Sequence, residues 1–392
     1  MRQSIRAGPS HEVCDSLTRG TSIEKTTLLR IPMTRRSRFS TLALIAVLSL
    51  VLTSFVSSPA HAGKNRTKGK VNYGVTSWTA LTSGYAIKGK ASGRKGRKVQ
   101  LQVKWSDGWH TIEASKTKKK GKFTITGTLD WYGAHKMRVS VPQTRRDRAK
   151  VFKAKKFSIA VPWTPRGATT SYLRMNYKGI NFQWNPCKTI KYRVNPGYAG
   201  EGAIAFTQEA IERLERATGF RTKYVGTTTS VPLDDKRYQK GTDLVIAWSH
   251  QDDYPELIQA VGRGGPNNLK PARRKSNNKV VLDIKATGVT MNMAYAAEYP
   301  FTYDLPTHEP MGLVLIHELG HAFGLEHFAD DIQVMHPGNR SPSPTGFSAN
   351  WEAGDLAGLR AQGAQGGCLK PYRNRGRFSA IDFSAIPDYT RE

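Results

Sequence analysis

Hydrophobic and polar positions along the chain fall into three textures. Leu42 to Val56 is a nearly continuous apolar run of 15 residues. From Val71 to about Val161 apolar and polar residues alternate in short runs, such as Lys98-Val99-Gln100-Leu101-Gln102-Val103-Lys104-Trp105 and Met137-Arg138-Val139-Ser140-Val141. A period of two puts Val99, Leu101, Val103 and Trp105 on one face and the lysines and glutamines on the other, as in a half-buried strand. Turn residues separate these runs, which predicts a small all-β sandwich over residues 63–160.

The third texture begins after Pro162-Trp163-Thr164-Pro165, where two closely spaced prolines stop both helix and ladder and mark 161–171 as a linker. Residues 172–392 mix strands with helices. Ile190-Lys191-Tyr192-Arg193-Val194 alternates, Ala203 to Thr218 repeats as a helix with Ile204, Ile211 and Leu214 on one face, and Gly219 is its stop. Asp243 to Trp248 and Lys279 to Ile284 read as buried strands. Ser249 to Asn278, rich in glycine, proline and asparagine, reads as loop. The fold class expected is therefore multidomain, an all-β module followed by an α/β (α+β) domain.

The apolar run has a positive flank, Arg35, Arg36 and Arg38, and ends in Pro59-Ala60-His61-Ala62, a small-residue cleavage site. These are the three regions of a secretory signal peptide, and a membrane span needs about 20 apolar residues. Residues 1–62 are the signal region, with Met33 as the expected start and cleavage after Ala62. The mature chain is expected to be secreted, with no membrane span and an extracellular or wall-associated location.

Charge divides the chain again. Lysine and arginine number 60 against 30 acidic residues, yet 63–170 holds 26 basic and 4 acidic residues while 171–392 is nearly balanced. This composition excludes collagen, coiled coil and a multi-span membrane protein. A positive field confined to one module suits an anionic cell-envelope polymer or another polyanion bound through 63–160. Nothing in the pattern specifies nucleic-acid recognition. Trp105, Trp109 and Trp131 add stacking contacts if exposed, and are core residues if buried.

The chemistry lies in His317-Glu318-Leu319-Gly320-His321-Ala322-Phe323-Gly324-Leu325-Glu326-His327. On a helix His317 and His321 are four apart, so both imidazoles leave the same face and can share one metal. Glu318 sits beside the first ligand, suited to general-base work on a metal-activated water. Gly324 supplies the left-handed turn that returns the chain, and His327 gives a third nitrogen. Three neutral histidines leave one zinc position open, as hydrolysis requires. Thr307 is the expected cap of this helix, with Pro310 in its first turn. His308-Glu309 imitates the opening of the motif but has Gly312 where a second histidine belongs, and reads as the lead-in to the helix.

With Met335 following in Val334-Met335-His336-Pro337, the pattern resembles the metzincin zinc metalloproteases, and the bacterial secreted, matrixin-like type in particular. The resemblance implies a catalytic domain with a twisted sheet, an active-site helix and a C-terminal helix, one catalytic Zn2+, a methionine turn at Met335 beneath the ligands, and a protein or peptide substrate. His336 stands where matrixins usually carry tyrosine, and Pro337 stands where astacins carry one. Trp184-Asn185-Pro186-Cys187, Val281-Leu282-Asp283 and Gly354-Asp355-Leu356-Ala357 also resemble the frame of bacterial matrixin-like domains. Calcium is allowed by analogy with related enzymes, although no carboxylate-rich loop stands out. The β-module resembles bacterial immunoglobulin-like domains in pattern alone.

Signal removal takes Cys14 away and leaves Cys187 and Cys368, which an oxidising compartment is expected to join. Two other functions stand beside a peptidase: a zinc hydrolase of cell-wall peptide cross-links, and a polyanion-binding envelope protein with a vestigial peptidase domain. The intact ligand set with Glu318 argues against the second.

Overall fold

The computed structural model describes residues 64–234 and 238–373. The expected signal region, with Met33 and Ala62, lies outside the described residues. Within them the molecule is mostly β-sheet, in several sheets, with three α-helices. None of the described helices is long and apolar enough to cross a membrane.

The first seven longer strands are β1 (Gly69–Asn72), β2 (Tyr85–Ala91), β3 (Lys98–Trp105), β4 (Gly108–Lys116), β5 (Lys122–Gly127), β6 (Gly133–Val141) and β7 (Lys155–Ala160). One sheet runs β1-β2-β5 and a second runs β7-β6-β3-β4, with the short strand Ser77–Thr79 beside β7. Alternation does the packing: Ile87, Val99, Leu101, Val103, Ile125, Met137, Val139 and Phe157 are buried in one shared core, while their polar neighbours face out. Trp131 is buried and Trp105 partly buried.

A mixed sheet follows, built from β8 (Ile180–Gln183), β9 (Ile190–Asn195), β10 (Thr222–Thr227), β11 (Leu244–Ser249), β12 (Gly262–Arg274) and β13 (Val280–Asn292). Strands β10, β9, β11 and β13 are parallel neighbours in that order, and β8 joins β13 in parallel beside Leu282 and Asp283. Every residue of β11 is buried, as a parallel strand covered on both faces should be. Helix α1 (Gly202–Thr218) buries Ala203, Ala210, Ile211, Leu214 and Ala217 and ends at Gly219, φ +72°. Ile204 packs at the margin of this face.

The stretch from Ser249 to Asn278 is not simply loop. Its centre, β12, pairs antiparallel with β13 over nearly its whole length. Pro266 and Pro271 are tolerated because among the described strands only Ala272 to Arg274 have a second neighbour, the short β14 (Leu369–Pro371). Elsewhere on this edge strand a missing N–H breaks no second ladder, and the register slips around Asn268 absorb the irregularity.

The described residues cluster as one unit. The segment between the two sheet systems is held in its first half: Trp163 Nε1 donates to Trp351 O at 3.2 Å, and Arg166 Nε donates to Glu352 Oε1 at 2.9 Å. Trp131 of the module abuts Gly219, where a Cβ would come within 2.4 Å of the indole. Arg360 donates to Ala134 O at 2.7 Å, and Asp107 accepts from both His110 (2.7 Å) and the Cys368 N–H (3.1 Å). Cys187 and Cys368 are joined, with Cα atoms 5.4 Å apart.

Candidate metal centre

Helix α2 (Met311–Ala322) is buried along its whole length. Its apolar residues surround it on all sides, as in a helix that runs through a core rather than over one. It begins after Pro310, which occupies the N-cap, and Thr307 therefore lies outside it. The fixed φ of proline suits that entry, and the Thr307 hydroxyl contacts His308 Nδ1 instead.

The helix stops at Phe323, and Gly324 turns the chain with φ +88°. Gly324 O then accepts from Met175 N (2.9 Å) and Gln362 Nε2 (2.6 Å), which fixes the turn. Leu325 and Glu326 pair with Arg174 and Leu173, and this short bridge delivers His327 back beside the helix.

The three Nε2 atoms of His317, His321 and His327 form a triangle with sides of 3.0, 3.1 and 3.2 Å. The other ring nitrogens explain its chemistry. His317 Nδ1 donates to Val334 O at 2.6 Å and His321 Nδ1 donates to Leu325 O at 2.9 Å. A carbonyl can only accept, so the proton of each ring sits on Nδ1 and a bare Nε2 lone pair faces the centre. Burial pushes His321 down to about 3 and His317 well below its ordinary 6.5; His327 is lowered for the same reason. Two imidazoles with bare lone pairs aimed at one point, and the His327 Nε2 beside them, fit a cation. Zn–N bonds of about 2.0–2.1 Å in tetrahedral geometry separate ligand nitrogens by about 3.3–3.4 Å, close to this triangle. An all-imidazole donor set suits zinc, and equally copper, iron or nickel.

Glu318 lies in the wall of the same cavity, about 440 Å³ in volume, with His317, His321, His327, Tyr299, Val314 and Arg340. Burial pushes its carboxyl up to about 8, against Arg340 and Arg263, which pull it down. β12 passes directly over it: a Cβ at Gly264 would lie 2.3 Å from Glu318 O, and one at Gly262 would lie 2.8 Å from Glu318 Cγ. Only glycine lets the strand come so near.

Met335 packs beneath, its sulfur against Gly320. The turn that carries it is gripped by Asp355 of α3 (Ala353–Gln362), whose carboxylate accepts from Val334 N (2.8 Å), Met335 N (3.2 Å) and Glu352 N (3.1 Å). Burial pushes the Asp355 carboxyl up to about 7, and these N–H donors oppose the shift. Gln333 Oε1 accepts from Gly354 N at 2.8 Å and closes the same junction.

The motif is thus assembled in one place, with Met335 and Gly324 beside it and the Cys187–Cys368 pair elsewhere, near His110. Sequence reading gave no role to Arg340 and treated Glu309 as lead-in. The two form an ion pair in the cavity wall, and Arg340 Nε also donates to Val334 O at 3.0 Å, the carbonyl that orients His317. No local spacing marks this pair, since 31 residues separate its members.

No protein-family model and no curated protein matches the chain. Among solved structures, the PKD domain of an M14-like peptidase from Thermoplasmatales archaeon SCGC AB-540-F20 aligns at 14% identity and TM-score 0.16, over 24% of this chain and 94% of that one. Faecalibacterium prausnitzii β-glucuronidase aligns at 10% identity and TM-score 0.15, over 48% of this chain and 24% of that one. Ruminococcus gnavus β-glucuronidase aligns at 12% and 0.14, over 45% and 32%. At TM-scores this low none of them carries an argument.

Proposed function

We propose that the chain is an exported zinc metalloendopeptidase of metzincin type, matrixin-like, with its catalytic half formed by the mixed sheet and α1 to α3. The observation that carries this reading is the triangle of imidazole nitrogens, 3.0–3.2 Å on a side, sharing a cavity with the buried carboxyl group of Glu318. Bound zinc supplies Lewis-acid polarisation of the scissile carbonyl and lowers the pKa of the attacking water. His317, His321 and His327 would hold it.

The remaining work falls to the chain itself. Glu318 takes the proton of the attacking water and later returns it to the leaving amine, so no covalent acyl-enzyme forms. The edge of β12 at Gly262 and Gly264, on the side away from β13, offers backbone groups to an extended peptide, which adds to the sheet as a further strand. Its glycines keep that peptide close to Glu318. Val314, Tyr299 and the Arg340–Glu309 pair bound the adjoining pocket and limit the side chain accepted there.

The test is digestion of a peptide library by the purified mature protein, with and without a zinc chelator. Activity that the chelator abolishes and zinc restores is expected. Glu318→Gln should keep its zinc and lose roughly 10²-fold or more of the rate, whereas His321→Ala should lose the metal. Hydrolysis indifferent to chelation, or full activity in Glu318→Gln, would end this reading.

A further inference from the structure

The outer face of the β1-β2-β5 sheet carries a feature that the charge of the module alone does not explain. Lys70 is paired in register with Lys90, and Lys90 with Lys122. Three ammonium groups therefore stand in one row across three adjacent strands, about 4.8 Å apart at the backbone. The next row along the strands is Asn72, Lys88 and Thr124. All six side chains are exposed, and among the described residues none of the four lysines is in an ion pair.

Like charges directly opposite one another destabilise a sheet. Lysines on an edge strand can be explained as protection against edge-to-edge pairing. That account reaches Lys70 on β1 but not Lys90, which lies on the central strand of the three. A row maintained through the centre of a sheet, with acidic residues absent from it, calls for an anion.

We infer that this face binds a linear acidic polysaccharide, with the chain lying along the Lys70–Lys90–Lys122 row. The neighbouring groups select the class. Thr124 and Asn72 offer hydroxyl and amide groups to sugar hydroxyls between the charges. No aromatic side chain stands in these rows for bases to stack on, which a single-stranded nucleic acid uses. No large apolar side chain stands there to enter a lipid surface. Because Arg360 and Cys368 bond to Ala134 and Asp107 of the module, a bound polymer would hold the candidate metal centre in a set orientation rather than on a loose tether.

The experiment uses the full mature chain and sulfated heparin oligosaccharides as the probe, with a thymidine oligonucleotide and phosphatidylglycerol vesicles as the other arms. Heparin binding should weaken steeply with salt. Replacing Lys70, Lys90 and Lys122 together by Gln should lower affinity by tenfold or more and flatten the salt dependence. Replacing Lys95, Lys153 and Lys240, which are exposed in turns and loops outside both sheets of the module, removes the same charge and should change affinity less than threefold. Equal losses in the two triple variants would overturn the proposal, because net charge alone would then suffice. Tighter binding to the oligonucleotide or the vesicles than to heparin would overturn it as well. Circular dichroism of both variants checks that the sandwich is intact.

Discussion

Gly320 lies so close to Met335 that a Cβ on the glycine would come within 2.3 Å of the methionine sulfur. The contact brings the 334–336 turn up against α2 one residue before His321. The same turn offers Val334 O to His317 Nδ1. Glycine inside a helix costs about 0.5–1 kcal/mol relative to alanine, so its place here rests on packing rather than propensity.

Gly320→Ala should therefore destabilise the protein although it improves helix propensity. Met335 is only 1% exposed, so its sulfur cannot swing out into solvent to make room. Overpacking of this kind costs about 1–3 kcal/mol, and displacement of the turn should also weaken zinc binding. Thermal unfolding and bound-zinc content are the measurements. A variant that melts higher than the parent and keeps full zinc would show that the contact is unimportant.

Asp355→Ala should be more damaging than its distance from the histidines in sequence suggests. The carboxylate is completely buried and accepts from three backbone N–H groups, two of them in the turn that carries Met335. Orphaning buried donors costs about 1–3 kcal/mol each, so a total of about 3 kcal/mol or more is expected. Urea denaturation measures it. A loss below about 1 kcal/mol would mean that water or another side chain replaces the carboxylate.

The three-histidine cluster was legible in the sequence because it is local: one helix face and one glycine turn contain every ring from His317 to His327. The supporting contacts were not, because they join distant segments through backbone atoms. Asp355 reaches back 20 residues to Met335 N, and Glu309 reaches forward to Arg340. Composition misled at β12. Glycine and proline mark a loop when both sides of a strand must be paired, and the pattern cannot say that Gly262–Arg274 would lie at a sheet edge. The alternating runs of the module were easier, since Val99, Leu101 and Val103 each meet the core on every second residue.

The Cys187–Cys368 link encloses a span of 181 residues. On the chain-entropy model closure of so long a loop contributes at most ~5 kcal/mol. Protein collected without reductant should resist alkylation at both positions and take up two labels after reduction, read by intact mass. Because Cys368 N donates to Asp107, reduction should also loosen the seam between the module and the mixed-sheet half. Alkylation of both thiols in unreduced protein would refute the bridge.

His135 gives that seam a dependence on pH. It is 1% exposed in β6, and its Nε2 donates to Trp131 O at 2.8 Å. Burial pushes its pKa from 6.5 down to about 4, more strongly than the hydrogen bond to Trp131 raises it. A depressed folded pKa means that the unfolded chain takes up the proton first. The stability is present above about 6.5, falls as pH drops through the interval, and is fully lost only below about 4. At about 1.4 kcal/mol per unit, the contribution is about 3 kcal/mol. The parent protein should thus lose more stability between pH 7.5 and pH 4.5 than His135→Gln does, in urea unfolding followed by tryptophan fluorescence. Trp131, against both His135 and Gly219, reports directly on this region. Parallel pH profiles for the two proteins would show that His135 titrates normally and that the buried seam does not sense acid through it.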